Sequence, residues 1–108
     1  MELRHYTTAN GKDVFESWLC GLKDDRTEAR IDARINRLSQ GNFGDCTPVG
    51  GGVRELRIDF GPGYRVYYAV VGQTCVLLLC GGDKRRQSTD IAKAIEYLRD
   101  YKQRSKSR

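Results

Sequence analysis

The sequence has no long apolar segment. Its longest apolar run, Cys75 to Cys80, is far short of the ~20 residues that cross a bilayer. No apolar stretch follows the first residues, as a secretory signal peptide would require. These absences predict a cytoplasmic protein with no membrane partner.

Metal-binding patterns are also missing. His5 is the only histidine, which excludes a Cys₂His₂ zinc site, and the four cysteines show no C-x-x-C spacing. We therefore expect reduced thiols and no metal or cofactor. The run Gly50–Gly52 is not followed by G-K-[ST], so it is interpreted as a flexible loop and not as a phosphate loop.

Positive charge is present in excess, but only in one part of the chain. The 108 residues carry a net charge of +5, and residues 83–108 contribute all of it, with nine basic against four acidic residues. This length predicts one domain, residues 1–108, with a basic tail over 102–108 that is able to fray. The charge favours a polyanion or an acidic protein as partner, and a solvated helix with a frayed tail is the alternative.

The first half of the chain predicts one strand and two helices. A strand over Leu3–Thr8 precedes a short helix that Asn10 caps and whose apolar residues lie between positions 14 and 22. A second helix follows the turn at residues 23–25 and ends at Gly41. Residues 41–52 are interpreted as loop. On the second helix one side carries arginines that face solvent or a partner: Arg26, Arg30, Arg34 and Arg37.

The second half predicts three strands and a helix. Strands over 53–60, 64–71 and 76–79 precede a helix that Ser88 caps and whose apolar stripe includes Ile91, Ile95 and Leu98. The predicted order is β-α-α-β-β-β-α, an α+β fold. In it a helical hairpin and a C-terminal helix pack on a small, mainly antiparallel sheet.

Charged residues alternate along the predicted hairpin of residues 53–71. If Phe60 pairs with Tyr64 across a three-residue loop, Arg57 faces Tyr67 and Asp59 faces Arg65, all on the face away from the core. Glu55 shares that face, and Lys84–Arg86 leave the next strand. Cross-strand ion pairs on an exposed sheet would explain this pattern, and so would a site for a phosphate and a stacked base of single-stranded RNA.

Two stretches carry a family resemblance. Residues 52–68 (GVRELRIDFGPGYRVYY) and 77–84 (LLLCGGDK), followed by Asp90-Ile91 and Ala94, resemble the phage-derived addiction-module killer proteins. These belong to the RelE/ParE toxin superfamily, near its HigB branch. The resemblance covers nearly the whole chain in the order of its elements and implies a RelE-like fold.

The resemblance implies the toxin of a type II toxin–antitoxin system. RelE-type members cleave mRNA in the ribosomal A site, so the implied partners are the ribosome, mRNA and a co-encoded helix-turn-helix antitoxin. Operator DNA would be bound only through the antitoxin complex. By position, Arg65 matches the phosphate-binding arginine, Arg57 the basic residue of the preceding strand, and Lys84 the basic residue after the last strand, with Arg85 or Arg86 as substitutes. The family's tyrosine on the last helix has no clear match, since Ile91 lies there; Tyr67 is a candidate replacement.

The residues themselves are compatible with metal-free RNA cleavage, in which the substrate 2′-OH is the nucleophile. Arg57 and Arg65 suit charge stabilisation of the phosphate, because a guanidinium meets two phosphate oxygens. Lys84 or Arg85 is a candidate proton donor, and Glu55 or Tyr67 a candidate acceptor. A structural role is expected for His5. Six further residues are candidates for RNA binding: Arg54, Arg85, Arg86, Lys93, Lys102 and Arg104.

Two other functions remain open from the sequence. A gyrase-poisoning toxin of the same fold would act by binding, through the basic last helix and tail. A nucleic-acid-binding module without toxicity is the other alternative. The combination of Arg57, Arg65 and Lys84 favours the nuclease, because a protein that only binds does not need the three together.

Overall fold

The computed structural model describes residues 1–106 as one α+β unit. Three helices, α1 (Val14–Gly21), α2 (Asp25–Ser39) and α3 (Gln87–Lys106), pack on a five-stranded sheet. The strands are β1 (Glu2–His5), β2 (Cys46–Gly50), β3 (Val53–Ile58), β4 (Tyr64–Val71) and β5 (Cys75–Asp83). Arg108 of the predicted basic tail lies outside the described residues.

The sheet is mainly antiparallel, as predicted. Its order is β1-β5-β4-β3-β2, and only β1 pairs in parallel, with β5. β5 is therefore an inner strand, and its residues from Cys75 to Cys80 are all buried. Burial on both faces explains why this segment is a continuous apolar run and does not alternate. No helix among residues 1–106 is long and apolar enough to cross a membrane.

Helices cover both faces of the sheet. The α1–α2 hairpin packs over one face, where Leu56, Val66 and Tyr68 meet Phe15 and Ile31. Helix α3 packs over the other face, with its stripe at positions 91, 94, 95 and 98 against strand residues 53, 67, 69, 77 and 79. The predicted apolar stripes and the predicted core face of β4 are confirmed. The face that carries Glu55, predicted to be exposed, is instead partly covered by α3.

The predicted loop over residues 41–52 is wrong, since it contains β2. Cys46–Gly50 pairs with β3 and forms one edge of the sheet. Pro48 and the glycines after it obscured the strand, and proline is tolerated there because an edge strand leaves one side unpaired. Gly50, Gly51 and Gly52 have φ of 110°, 61° and 87°, so these glycines form the tight turn into β3.

The predicted register of the β3–β4 hairpin is also wrong. Arg57 faces Arg65, and Glu55 faces Tyr67. Five residues and not three separate the strands, because β3 ends at Ile58. Since this shift moves each pairing by two residues, every side chain stays on its predicted face.

Other element ends also differ from the prediction. Asp13, not Asn10, caps α1 by accepting a hydrogen bond from the Glu16 N–H. The first strand ends at His5 and not at Thr8. After β5, which continues to Asp83, a 3₁₀ turn over Lys84–Arg86 leads directly into α3, so Ser88 is not the cap.

Candidate nucleic-acid site on the β3–β4 hairpin

Two arginines lie directly opposite each other on neighbouring strands. Arg57 of β3 and Arg65 of β4 are cross-strand partners, so their Cβ atoms are about 5 Å apart and their side chains leave the same face. Like charges in this position repel each other. Two guanidinium groups held this way form a site to which an anion can bind.

Lys84 is placed beside Arg65 by the turn that follows β5. The Lys84 N–H donates to the Gly63 carbonyl oxygen at 2.9 Å. A Cβ on Gly63 would lie 3.5 Å from both Arg65 Nη1 and Lys84 Cβ. The structure therefore brings the three basic residues predicted for the site, Arg57, Arg65 and Lys84, to one end of the hairpin.

A buried carboxylate lies behind Arg65. Glu55 is 3% exposed, and its Oε1 is 3.8 Å from Arg65 Nε, which is also buried and forms no hydrogen bond. Gln87, the first residue of α3, donates to Glu55 Oε2 at 2.7 Å. Glu55 and Gln87 therefore hold the arginine from the side away from solvent. Sequence reasoning missed Gln87, since no pattern links it to β3.

Tyr67 lies deeper than the sequence suggests. It has no exposed surface, because α3 covers it, and no ring face is free to stack on a base. Burial, and then the neighbouring Glu55 carboxylate, raise the pKa of Tyr67 above its usual range. Tyr67 is therefore not placed to stack on a base of the RNA, and its role in proton transfer stays a prediction.

Strand β2 and the bend before it add two residues to the site that the sequence did not point to. Arg57 Nη2 lies 3.3 Å from Thr47 Oγ1 and 3.5 Å from Asp45 Oδ1. Asp45 is exposed, in contrast to Glu55. The sequence predicts residues 41–52 as loop, and no motif or spacing in that segment points to either residue.

The other RNA-binding candidates are dispersed. Arg54 lies on the opposite face of β3, where its guanidinium is 6.0 Å from the Phe43 ring. Arg85 pairs with Asp83 at 3.1 Å. Arg104 folds back onto its own molecule, with an ion pair to Asp100 at 2.8 Å. The remaining three side chains are exposed: Arg86, Lys93 and Lys102.

The site offers no set of metal ligands. Among residues 1–106, no group of three or more His, Cys, Asp or Glu side chains is close enough together to hold a metal ion. His5 is outside the site, where its Nδ1 is 2.7 Å from Asp13 Oδ2 near the start of α1. Arginine and lysine are therefore the groups at this surface that can meet a phosphate.

Comparison with known proteins assigns the family. The family model "Phage derived protein Gp49-like (DUF891)" matches residues 17–102, which is most of the chain and includes the whole site. The chain belongs to this Gp49-like family. The family is a family of toxins of toxin–antitoxin systems, related to the RelE and HigB type.

One relative is substantially similar in sequence. An uncharacterized protein of Haemophilus influenzae is 55% identical over 81 residues, which cover 75% of this chain and 82% of the relative. No solved structure matches the chain. Membership of a toxin family implies an antitoxin as partner of this Gp49-like protein.

Proposed function

We propose that this Gp49-like toxin is a ribosome-dependent mRNA endonuclease of the cytoplasm, close to the HigB branch. The observation that carries this proposal is the direct pairing of Arg57 with Arg65, with Lys84 beside them. Glu55 pairs with Arg65 and Asp45 lies beside Arg57, but Arg57 and Lys84 are exposed and able to meet a phosphate. A phosphate bound between the two arginines would further offset the repulsion of their like charges, which favours RNA as the ligand.

In the proposed reaction the substrate 2′-OH attacks the adjacent phosphorus. A bond forms between the 2′ oxygen and phosphorus, and the bond to the 5′ oxygen of the next nucleotide breaks. Arg57 and Arg65 stabilise the charge of the five-coordinate phosphate, and Lys84 protonates the leaving oxygen. The products are a 2′,3′-cyclic phosphate and a free 5′-OH.

The proton of the 2′-OH needs an acceptor within reach of the RNA. Glu55 is buried and pairs with Arg65, so we assign it to the positioning of Arg65, and Tyr67 is buried beside Glu55. Asp45 is exposed and lies next to Arg57, which makes it our candidate acceptor. A single surface carboxylate is a weak catalytic base, and this explains why orientation of the substrate by the ribosome would be needed.

Expression in cells separates this function from gyrase poisoning. We expect production of the toxin without its antitoxin to stop translation within minutes, measured by amino-acid incorporation, and to shorten mRNA. Arg57→Ala should abolish both effects, and Arg99→Ala, an exposed change on α3, should not. Double-strand DNA breaks with continued translation would instead support a gyrase poison, and no growth defect at all would oppose the toxin role.

A further inference from the structure

A second basic surface lies on the other side of the sheet from Arg57 and Arg65. Helix α2 and the end of β3 enclose a groove of about 280 Å³, here called the arginine groove. Arg30, Arg34 and Arg37 line one wall, and Ile58 and Phe60 form the floor with Ala33; Asp59 completes the lining. The three arginines recur at helical spacing, so their side chains follow one another along the groove.

The arginines of this groove are not neutralised within the molecule. Across residues 1–106, no carboxylate lies within ion-pair distance of Arg30, Arg34 or Arg37. Asp32, the acidic residue nearest to them on α2, lines a different cleft beside β1. The Arg30 guanidinium covers the Phe60 ring at 4.2 Å. The groove thus combines an apolar floor with a wall of three arginines that form no ion pair among the described residues.

We propose that the arginine groove is a docking surface for an acidic, amphipathic segment of the antitoxin. Carboxylates of the segment would pair with the arginines, and one apolar side would rest on the exposed Ala33 and the partly exposed Phe60. This inference rests on the toxin role stated above but not on RNA cleavage, because any toxin of this kind needs an antitoxin.

RNA fits the groove less well. The Arg30 guanidinium already covers one face of the Phe60 ring, which leaves less aromatic surface on which a base can stack. Asp59 adds a negative charge to the lining, which would repel a continuous phosphate backbone. A peptide avoids this repulsion, because its acidic side chains can be spaced to pass Asp59.

The test uses the full-length toxin and the purified protein of the adjacent reading frame as its antitoxin. The variant carries Arg30→Ala, Arg34→Ala and Arg37→Ala together, and Arg26→Ala on the same helix, outside the groove, is the matched control. We expect the triple variant to bind the antitoxin on the order of 10²-fold more weakly, while the control binds normally. A thermal melt of each variant verifies folding, and ribosome-dependent cleavage without antitoxin should be unchanged.

The outcomes separate the two proposals. Normal antitoxin affinity of the folded triple variant overturns the docking surface, and so does a failure of the wild type to bind this protein. Loss of cleavage with normal antitoxin affinity shows that the groove binds RNA instead, which also overturns it. If antitoxin affinity falls but wild-type toxin does not cleave mRNA, the docking surface stands and the nuclease function fails.

Discussion

The side chains of the candidate site conflict with ordinary sheet energetics. Arg57 and Arg65 face each other, Arg65 Nε is buried without a hydrogen bond, and Glu55 is a buried carboxylate. Each of these features costs free energy of folding that a neutral pair would not. Places where local rules are broken in this way are often functional, which agrees with a site whose ligand is an anion.

Removal of the Glu55 carboxylate should destabilise the protein. Glu55→Ala leaves Arg65 buried without its counter-charge and Gln87 without its acceptor, so we expect a loss of about 3 kcal/mol in the free energy of unfolding. Urea denaturation measures it, with the exposed Glu96→Ala as control. A Glu55→Ala protein as stable as that control would show that Glu55 does not support Arg65.

Asp90 should make stability depend on pH. Burial raises the pKa of Asp90 above its usual 3.8, against the smaller opposing effect of Arg86 and Lys93, and its Oδ2 has no hydrogen-bond partner. A raised folded pKa means that the native state holds the proton more tightly than the unfolded state. The free energy of unfolding then falls as pH rises from about 3.8 through the folded pKa.

Asp90→Asn removes this titration. We expect the variant to have a higher Tm than wild type at pH 7 and a smaller advantage at pH 3.5, where Asp90 is mostly protonated in both states. Melts across this range, monitored by circular dichroism, measure the difference. If Asp90→Asn raised Tm by the same amount at both pH values, the charge on Asp90 would not be the cause of the difference in stability.

Helices and strands could be predicted from the sequence wherever a single hydrophobic periodicity dominated a segment. Strand β4 has the limits that its pattern predicted, and α2 and α3 bury their predicted stripes. Strand β2 was missed because an edge strand with Pro48 and flanking glycines has no clear alternation. The hairpin register was wrong because alternation fixes only the face of each residue. Loop length sets the pairing, and it is not visible in composition.

Two glycines give opposite predictions for the same substitution. A Cβ on Gly81 of β5 would lie 2.2 Å from the Trp18 ring, whereas one on Gly21 of α1 would meet nothing within 4 Å. We expect Gly81→Ala to destabilise by about 2 kcal/mol or more and Gly21→Ala to stabilise by about 0.5 kcal/mol. Chemical denaturation of both variants tests the packing of α1 on β5; equal effects would contradict it.

Long-range contacts join the C-terminal half of α3 to residues 4–7 at the start of the chain. The Tyr6 hydroxyl donates to Asp100 at 2.7 Å and its ring stacks on Tyr97, while Arg4 donates to the Tyr101 hydroxyl. Arg104 reaches the Thr7 carbonyl oxygen. Residues 102–106 are thus helical, a long-range effect that charge composition did not reveal. The local sequence pattern and the family resemblance were sufficient to find the candidate arginines. The positions of Glu55, Gln87 and α3 behind Arg65 could be seen only in the folded structure.

The basic residues near the C-terminus are thus of two kinds: Arg104 stabilises the fold through contacts within the molecule, and Lys102 is exposed and able to bind RNA. Arg104→Ala should lower Tm, because the guanidinium binds Tyr6, Thr7 and Asp100, and should leave RNA affinity nearly unchanged. Lys102→Ala should leave Tm unchanged and reduce the salt dependence of RNA binding by roughly 0.7 log unit for each phosphate that the lysine neutralises. A smaller salt slope for Arg104→Ala than for Lys102→Ala would contradict the division.

If Arg57 and Arg65 hold the phosphate at which mRNA is cut, loss of either arginine must slow cleavage by the toxin on programmed ribosomes in vitro. We expect wild type to leave a 2′,3′-cyclic phosphate and a 5′-OH, and Arg57→Ala and Arg65→Ala each to cut on the order of 10²-fold more slowly. Thermal melts exclude unfolding, and Arg99→Ala should cut at the wild-type rate. Folded Arg65→Ala protein that cleaves at the wild-type rate would show that Arg65 does not hold this phosphate.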